Sequence, residues 1–142
     1  MWGHRIGAVA CAAAALFYAS VGVAAEGGAV SIEINKAETR GNQCNMYFML
    51  QNNSGQAFQS YKLDLVVFDA DGVIARQLMV ETAPLAAGKT VVKAFPVKDM
   101  PCKEISQLLL NDVPQCSGSD GAQKSCTAIT TVSTRTQIKF IK

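Results

Sequence analysis

From Val30 onward, apolar side chains recur at every second position rather than every third or fourth. Val30, Ile32 and Ile34 alternate with Ser31, Glu33 and Asn35, and Cys44, Met46, Phe48 and Leu50 repeat the pattern before the turn-forming Asn52-Asn53-Ser54-Gly55. A period of two is that of a strand with one face buried, so each run predicts a strand. Tyr61, Leu63, Leu65 and Val67 predict a third, with Lys62 and Asp64 pointing the other way, and Val73 to Val80 a fourth. Pro84-Leu85-Ala86-Ala87-Gly88 then reads as a turn-rich corner, where Gly88 takes a positive φ and Leu85 plugs the edge of the core. Lys89 to Val97 is β-branched and aromatic and predicts a fifth strand, with Pro96 marking where it leaves the sheet. Ile105 to Val113 predicts a sixth, although its centre, Leu108-Leu109-Leu110, is too short to separate strand from helix by period. Ser117 to Lys124 is small and polar, a loop; Thr127 to Ser133 and Thr136 to Ile141 give the last strand or pair.

No stretch sustains a period of 3.6, no linker divides the chain, and no repeat is present. About seven short antiparallel strands at near-regular spacing predict a single all-β domain, a β-sandwich. A small closed barrel satisfies the same strand count.

The residues before this pattern are different in kind. Met1 to Arg5 is short and basic, Ile6 to Val23 is apolar and alanine-rich, and Val23-Ala24-Ala25 puts small residues just before Glu26. These are the parts of a secretory signal peptide, with cleavage expected between Ala25 and Glu26. The expected organisation is therefore a signal segment over 1–25 and a sandwich domain over 26–142, with no membrane span after cleavage. An uncleaved anchor, a lipoprotein modified at Cys11 and a twin-arginine signal fit less well. The apolar run sits at the lower limit for a span, Cys11 has little apolar sequence before it, and Arg5 has no arginine beside it.

Removal of that segment changes the chemistry on offer. His4 and Trp2 are the single histidine and tryptophan, so residues 26–142 contain neither, and their 12 Lys and Arg nearly balance 11 Asp and Glu. Such a balance gives no electrostatic footprint for nucleic acid. Four cysteines remain, Cys44, Cys102, Cys116 and Cys126, without a C-x-x-C or zinc-finger spacing. An even count in an exported chain predicts two disulfides and no metal site. If successive strands run alternately up and down, Cys44 and Cys102 start from one end of the sandwich, and Cys116 and Cys126 lie at the other. The expected pairs are Cys44 with Cys102, tying the two sheets, and Cys116 with Cys126.

One stretch looks like a metal loop: Phe68-Asp69-Ala70-Asp71-Gly72-Val73-Ile74. With Asp69 as the first ligand of an EF-hand, the fifth position is Val73 and the twelfth, where a glutamate belongs, is Val80. The frame that places Gly72 sixth starts at Val67 and ends at Leu78, so neither frame supplies enough oxygens. Asp-Gly between alternating apolar runs is instead a strong hairpin signal. The reading is structural: Asp69 caps the turn, Asp71 faces water and Gly72 is left-handed.

Serine-histidine catalysis is excluded once His4 is removed, and no thiol pair suits disulfide exchange. A hydrolase built on carboxylates alone needs two of Asp64, Asp69, Asp71, Glu81 and Asp112 to converge in a cleft, whereas each is explained by a solvated face or a turn. Asn52-Asn53-Ser54 matches a glycosylation sequon but reads as a turn beside an alanine-rich, bacterial-looking signal. Asn111-Asp112 reads as a strand end bonded to local backbone, and Tyr47, Phe58 and Tyr61 as packing residues rather than a partner patch.

With Cys44, "LDLVVFDADGVIAR" at 63 to 76, "PLAAGKT" at 84 to 90, Cys102 and "LLLNDV" before Cys116, the chain resembles a group of small exported proteins of proteobacteria. They often carry the label "Tat pathway signal sequence domain protein". The resemblance runs through most of residues 26–142, departs in the absent twin arginine, implies a periplasmic location and brings no activity or functional residue. More loosely, the Leu85-Ala86-Ala87-Gly88-Lys89 pattern between strands is similar to immunoglobulin- or fibronectin-type modules, which implies an immunoglobulin-like sandwich. The expectation is a non-enzymatic periplasmic protein that contacts an unidentified envelope protein, without cofactor. The alternative is a sandwich that binds a small ligand or carbohydrate, disfavoured by the absence of tryptophan.

Overall fold

The computed structural model describes Gly3, residues 29–118 and residues 123–142. Apart from Gly3, the expected signal segment lies outside the described residues, as does its Ala25/Glu26 cleavage site. Among the described residues nine strands form two sheets. They are β1 (Val30–Arg40), β2 (Gln43–Asn52), β3 (Ser60–Asp69), β4 (Ile74–Glu81), β5 (Thr90–Val97), β6 (Ile105–Ser117), β7 (Gln123–Lys124), β8 (Thr130–Thr134) and β9 (Lys139–Ile141). The first sheet has the order β5-β2-β1-β8; the second has β4-β3-β6-β7, with β9 also beside β6. The all-β sandwich with two disulfides expected from the pattern is the fold observed.

The alternation explains the packing. Every second residue of β2 from Cys44 to Leu50 is buried, and Ile32, Ile34, Met46, Phe48 and Leu50 of the first sheet share one core with Leu63, Leu65, Val67, Leu108 and Leu110 of the second. Leu108-Leu109-Leu110 is strand, paired along its length with Leu65, Val66 and Val67. Phe48 stacks on Phe95 and meets Phe140 edge-on, joining β2, β5 and β9. Tyr61 is fully buried, and its hydroxyl shares a hydrogen bond with Thr130, whose own hydroxyl donates to the Cys126 carbonyl at 2.7 Å. A buried tyrosine needs such a partner, and this one links β3 of one sheet to β8 of the other. Burial pushes the Tyr61 phenol up to about 12.

Both disulfides pair as the strand directions predict, Cys44 with Cys102 and Cys116 with Cys126. Cys102 sits in a short 3-10 turn, Cys102–Glu104, where the chain crosses from β5 to β6. The bridge therefore ties β2 to the crossover instead of spanning the middle of the sandwich. Cys116 and Cys126 close the β6–β7 end.

Several details depart from the pattern reading. Pro96 stays in the ladder opposite Asn45, because β5 is an edge strand where a missing N–H removes no bond. The sixth strand continues past Val113 to Ser117, so Asn111 and Asp112 are mid-strand rather than at its end. The loop expected over Ser117 to Lys124 ends in the two-residue β7, and the last strands are shorter than their apolar runs. Two pairings run parallel, β1 with β8 and β6 with β9. Both bring the C-terminal arm back against a strand that points the same way, one in each sheet.

The Asp69 turn is a hairpin tip between β3 and β4. Gly72 has a φ of 78° and its N–H donates to the Asp69 carbonyl at 3.0 Å, while the Asp69 carboxylate accepts the N–H groups of Asp71 and Val73 at 2.9 Å each. Asp71 is exposed. Gly88 is also left-handed, at 69°, and its N–H donates to the Asn52 carbonyl at 2.8 Å. Asn52 is buried and its side-chain amide donates to the carbonyls of Gln56, Leu85 and Ala86, so the sequon stretch is the latch of this corner. Leu85 pairs with Phe58 and both are buried, as expected for a plug.

Candidate functional site

β3 lies between β4 and β6, and its alternation breaks at Leu65-Val66-Val67-Phe68, where both faces are apolar. Leu65 and Val67 face the core. Val66 faces the other way: it is only 8% exposed, yet it is not part of the cluster between the sheets. Opposite residues on neighbouring strands share a face, so the registers lay out the outer surface of the second sheet in rows. Glu81, Lys62 and Gln115 form one row; Met79, Asp64 and Asp112 the next; Gln77, Val66, Leu109 and Ile141 the third; Ile74, Phe68, Gln107 and Lys139 the fourth.

This surface has two halves. The lower rows carry Val66, Phe68 and Leu109 flanked by Ile74 at 64% exposure and Ile141 at 42%, with Met79 at 59% above them and Val73 at the hairpin tip. The upper rows are polar around Asp64, which is buried at 8% exposure rather than solvated as its position in the pattern implied. Its carboxylate accepts the Gln77 amide at 2.9 Å on one oxygen and the Asn111 amide at 2.7 Å on the other. A buried carboxylate must be hydrogen-bonded, and here two neutral amides, not a cation, do it. Asn111 thus serves Asp64 instead of local backbone, while Asp112 turns to the Val113 N–H and the Thr127 hydroxyl.

The five candidate carboxylates have separate employment. Asp69 closes its turn, Asp71 is exposed, and Asp64 and Asp112 bond different partners although their backbones are paired. Glu81 accepts the Tyr61 N–H at 2.7 Å, the Ala83 N–H at 2.9 Å and the Ser60 hydroxyl at 2.7 Å. Partial burial pushes its carboxyl up, but these three donors and the Lys62 charge outweigh it and leave the group below the usual carboxylate range. Among the described residues no three His, Cys, Asp or Glu side chains gather where a metal ion would sit, and no helix is long and apolar enough to cross a membrane.

On the first sheet, Glu38 of β1 is held down at about 2 by hydrogen bonds from Lys36, Tyr47 and Arg40, and Lys36 lies over the Tyr47 ring. Tyr47 is half-buried there, whereas Tyr61 and Phe58 pack edge to face in the core. A cleft of about 210 Å³ beside the Cys44–Cys102 bridge is lined by Ala37, Cys102, Lys103, Thr136, Gln137 and Ile138. That is smaller than the usual range for ligand sites, about 300–1,000 Å³.

No family model matches this chain, and no curated protein matches it. Among solved structures, one described as the structural characterization of IrmA from Escherichia coli is similar, with a TM-score of 0.57 and 17% identity. The match covers 74% of this chain and 91% of that one. At this identity the likeness concerns the fold alone.

The sequence reading passed over the outer surface, and the signal for it was in plain view. Where a strand of a two-layer protein is apolar at consecutive positions, as at 65–68 and 108–110, one of its faces is apolar without belonging to the core.

Proposed function

We propose that this is an exported, periplasmic, non-enzymatic protein that acts by contact with another envelope protein, through the outer face of the β4-β3-β6 sheet. One observation carries the reading: Val66, Phe68, Leu109, Ile74 and Ile141 form a contiguous apolar surface that the core does not use. Large apolar patches rimmed by polar groups mark interaction sites, and here the rim is Asp64 with its two amides, Lys62, Gln107 and Lys139. The signal-like segment over 1–25 and two disulfides support export to an oxidising compartment. An immunoglobulin-like reading of the sandwich is supported by β1, β2 and β5 sharing one sheet while β3 and β6 share the other, the places of strands A, B, E and C, F in that fold.

Crosslinking in periplasm followed by co-purification tests the face. The wild-type chain captures a discrete partner, and a variant with Ile74→Lys and Leu109→Lys loses it at an unchanged melting temperature. Equal capture by both chains, or none that repeats, rejects the reading. N-terminal sequencing of the periplasmic protein tests export, with Glu26 as the expected first residue.

A further inference from the structure

The two bridges are not equally enclosed. Cys116 is fully buried and Cys126 is 2% exposed, whereas Cys102 is half-buried and lines the cleft described above, with its partner Cys44 fully buried behind it. Thiol–disulfide exchange needs an attacking thiolate to reach a sulfur from outside, so access decides which bridge reacts and at which atom. Here one bridge is reachable, and at Cys102 alone.

The lining of the cleft suits an anionic nucleophile. Ala37 and Ile138 make apolar walls, Thr136 and Gln137 polar ones, and Lys103 is the single charged group among the lining residues. Lys103 is exposed and enters none of the ion pairs among the described residues, so its ammonium is available to attract a negative charge. A cation beside the reacting sulfur also favours thiolate over thiol. The crossover that carries Cys102 is fastened by more than the bridge. The Cys102 N–H donates to the Thr39 hydroxyl at 3.0 Å, the Asn42 side-chain amide donates to the Asp99 carboxylate at 2.8 Å, and buried Met100 pairs with Gln43. Opening the S–S bond therefore leaves the crossover attached, and exchange takes place on the folded chain.

We propose that the Cys44–Cys102 bridge is a thiol-exchange site, attacked at Cys102 through this cleft by a small anionic thiol. The attacking thiolate forms a new S–S bond to Cys102 Sγ, the Cys44–Cys102 bond breaks, and its electron pair leaves on Cys44 Sγ. Cys44 is enclosed by the apolar core, which disfavours the charged form, so the leaving thiolate takes up a proton from solvent. The product is a mixed disulfide on Cys102 beside a buried Cys44 thiol, one disulfide having been exchanged for another. The bridge is the target of exchange here, in contrast to the catalytic thiol of a C-x-x-C pair. Neither the outer face nor a protein bound to it takes part.

The test treats the folded, oxidised chain with mercaptoethanesulfonate at low ionic strength, quenches with acid at intervals, alkylates and maps the peptides. The expected result is that the Cys44–Cys102 bridge opens at least about tenfold faster than Cys116–Cys126, with any mixed disulfide on Cys102. Lys103→Glu slows that opening at least about threefold at an unchanged melting temperature, and added salt closes the gap. Neutral mercaptoethanol, compared at equal thiolate concentration, is slowed less by the same substitution. Opening of both bridges at one rate, or of Cys116–Cys126 first, overturns the proposal. So does an adduct on Cys44, a rate that follows global unfolding as urea is added, or a rate indifferent to Lys103→Glu.

Discussion

Asp64 shows how far a single side chain departs from what its place in the pattern implies. It alternates out of the core as a polar residue should, yet Val66, Met79 and the amides of Gln77 and Asn111 enclose it. Gln77 and Asn111 are themselves exposed, so water can take over their amides when Asp64 is replaced by alanine, and the expected loss is about 0.5–1.5 kcal/mol, measured by chemical denaturation. Glu38 gives the pH prediction. Its carboxyl is held at about 2 by Lys36, Tyr47 and Arg40, so its folded pKa lies below its unfolded one. The stabilisation it provides is present above the ordinary carboxylate range and is lost as the pH falls toward 2. A carbon-detected titration should place its midpoint near 2, and Lys36→Ala should move that midpoint upward. At Gly72 the left-handed φ of 78° has open space around it, so a side chain there costs backbone strain rather than a clash. Gly72→Val should lose about 1–2 kcal/mol, and calcium should leave the melting temperature of the wild-type chain unchanged. A calcium-dependent rise would restore the metal-loop reading.

At the scale of elements, the bridges differ in what they hold. The Cys44–Cys102 pair spans 58 residues and the Cys116–Cys126 pair 10. The loop-entropy model then ranks their contributions at about 4 and about 3 kcal/mol. Replacing each pair by alanine and comparing denaturation midpoints tests that order. The strands themselves were legible because alternation is imposed by the pleat: Cys44 to Leu50 and Tyr61 to Val67 were read to within a residue or two. What the pattern could not carry was context. Pro96 reads as an exit only if the strand is central, and Asn111-Asp112 reads as an end only if nothing across the sheet needs an amide. Both depend on which strand lies alongside, which is not local information. The disulfide pairing was readable because strand direction alternates, and direction survives errors in strand boundaries.

For the whole molecule, two layers and one core could be read from strand count and spacing, whereas the candidate contact surface could not. Its residues come from β3, β4, β6 and β9, and only the registers bring Val66, Ile74, Leu109 and Ile141 onto one face. The sequence carried half the signal, in the consecutive apolar runs, and lacked the other half, the sidedness that shows which of those residues the core leaves over.

The two parallel pairings described above also constrain when the molecule can fold. β8 joins β1 across about a hundred residues of sequence and β9 joins β6, so residues 130–141 complete both layers and supply Thr130 to Tyr61 and Phe140 to Phe48. Contacts of such long sequence separation form late, and both layers depend on residues 130–141 for their completion. During vectorial synthesis the sandwich stays open until that arm has emerged, which keeps the preceding segments threadable through a narrow channel. Delayed closure of this kind suits the export proposed above, since neither layer is complete until residues 130–141 have docked.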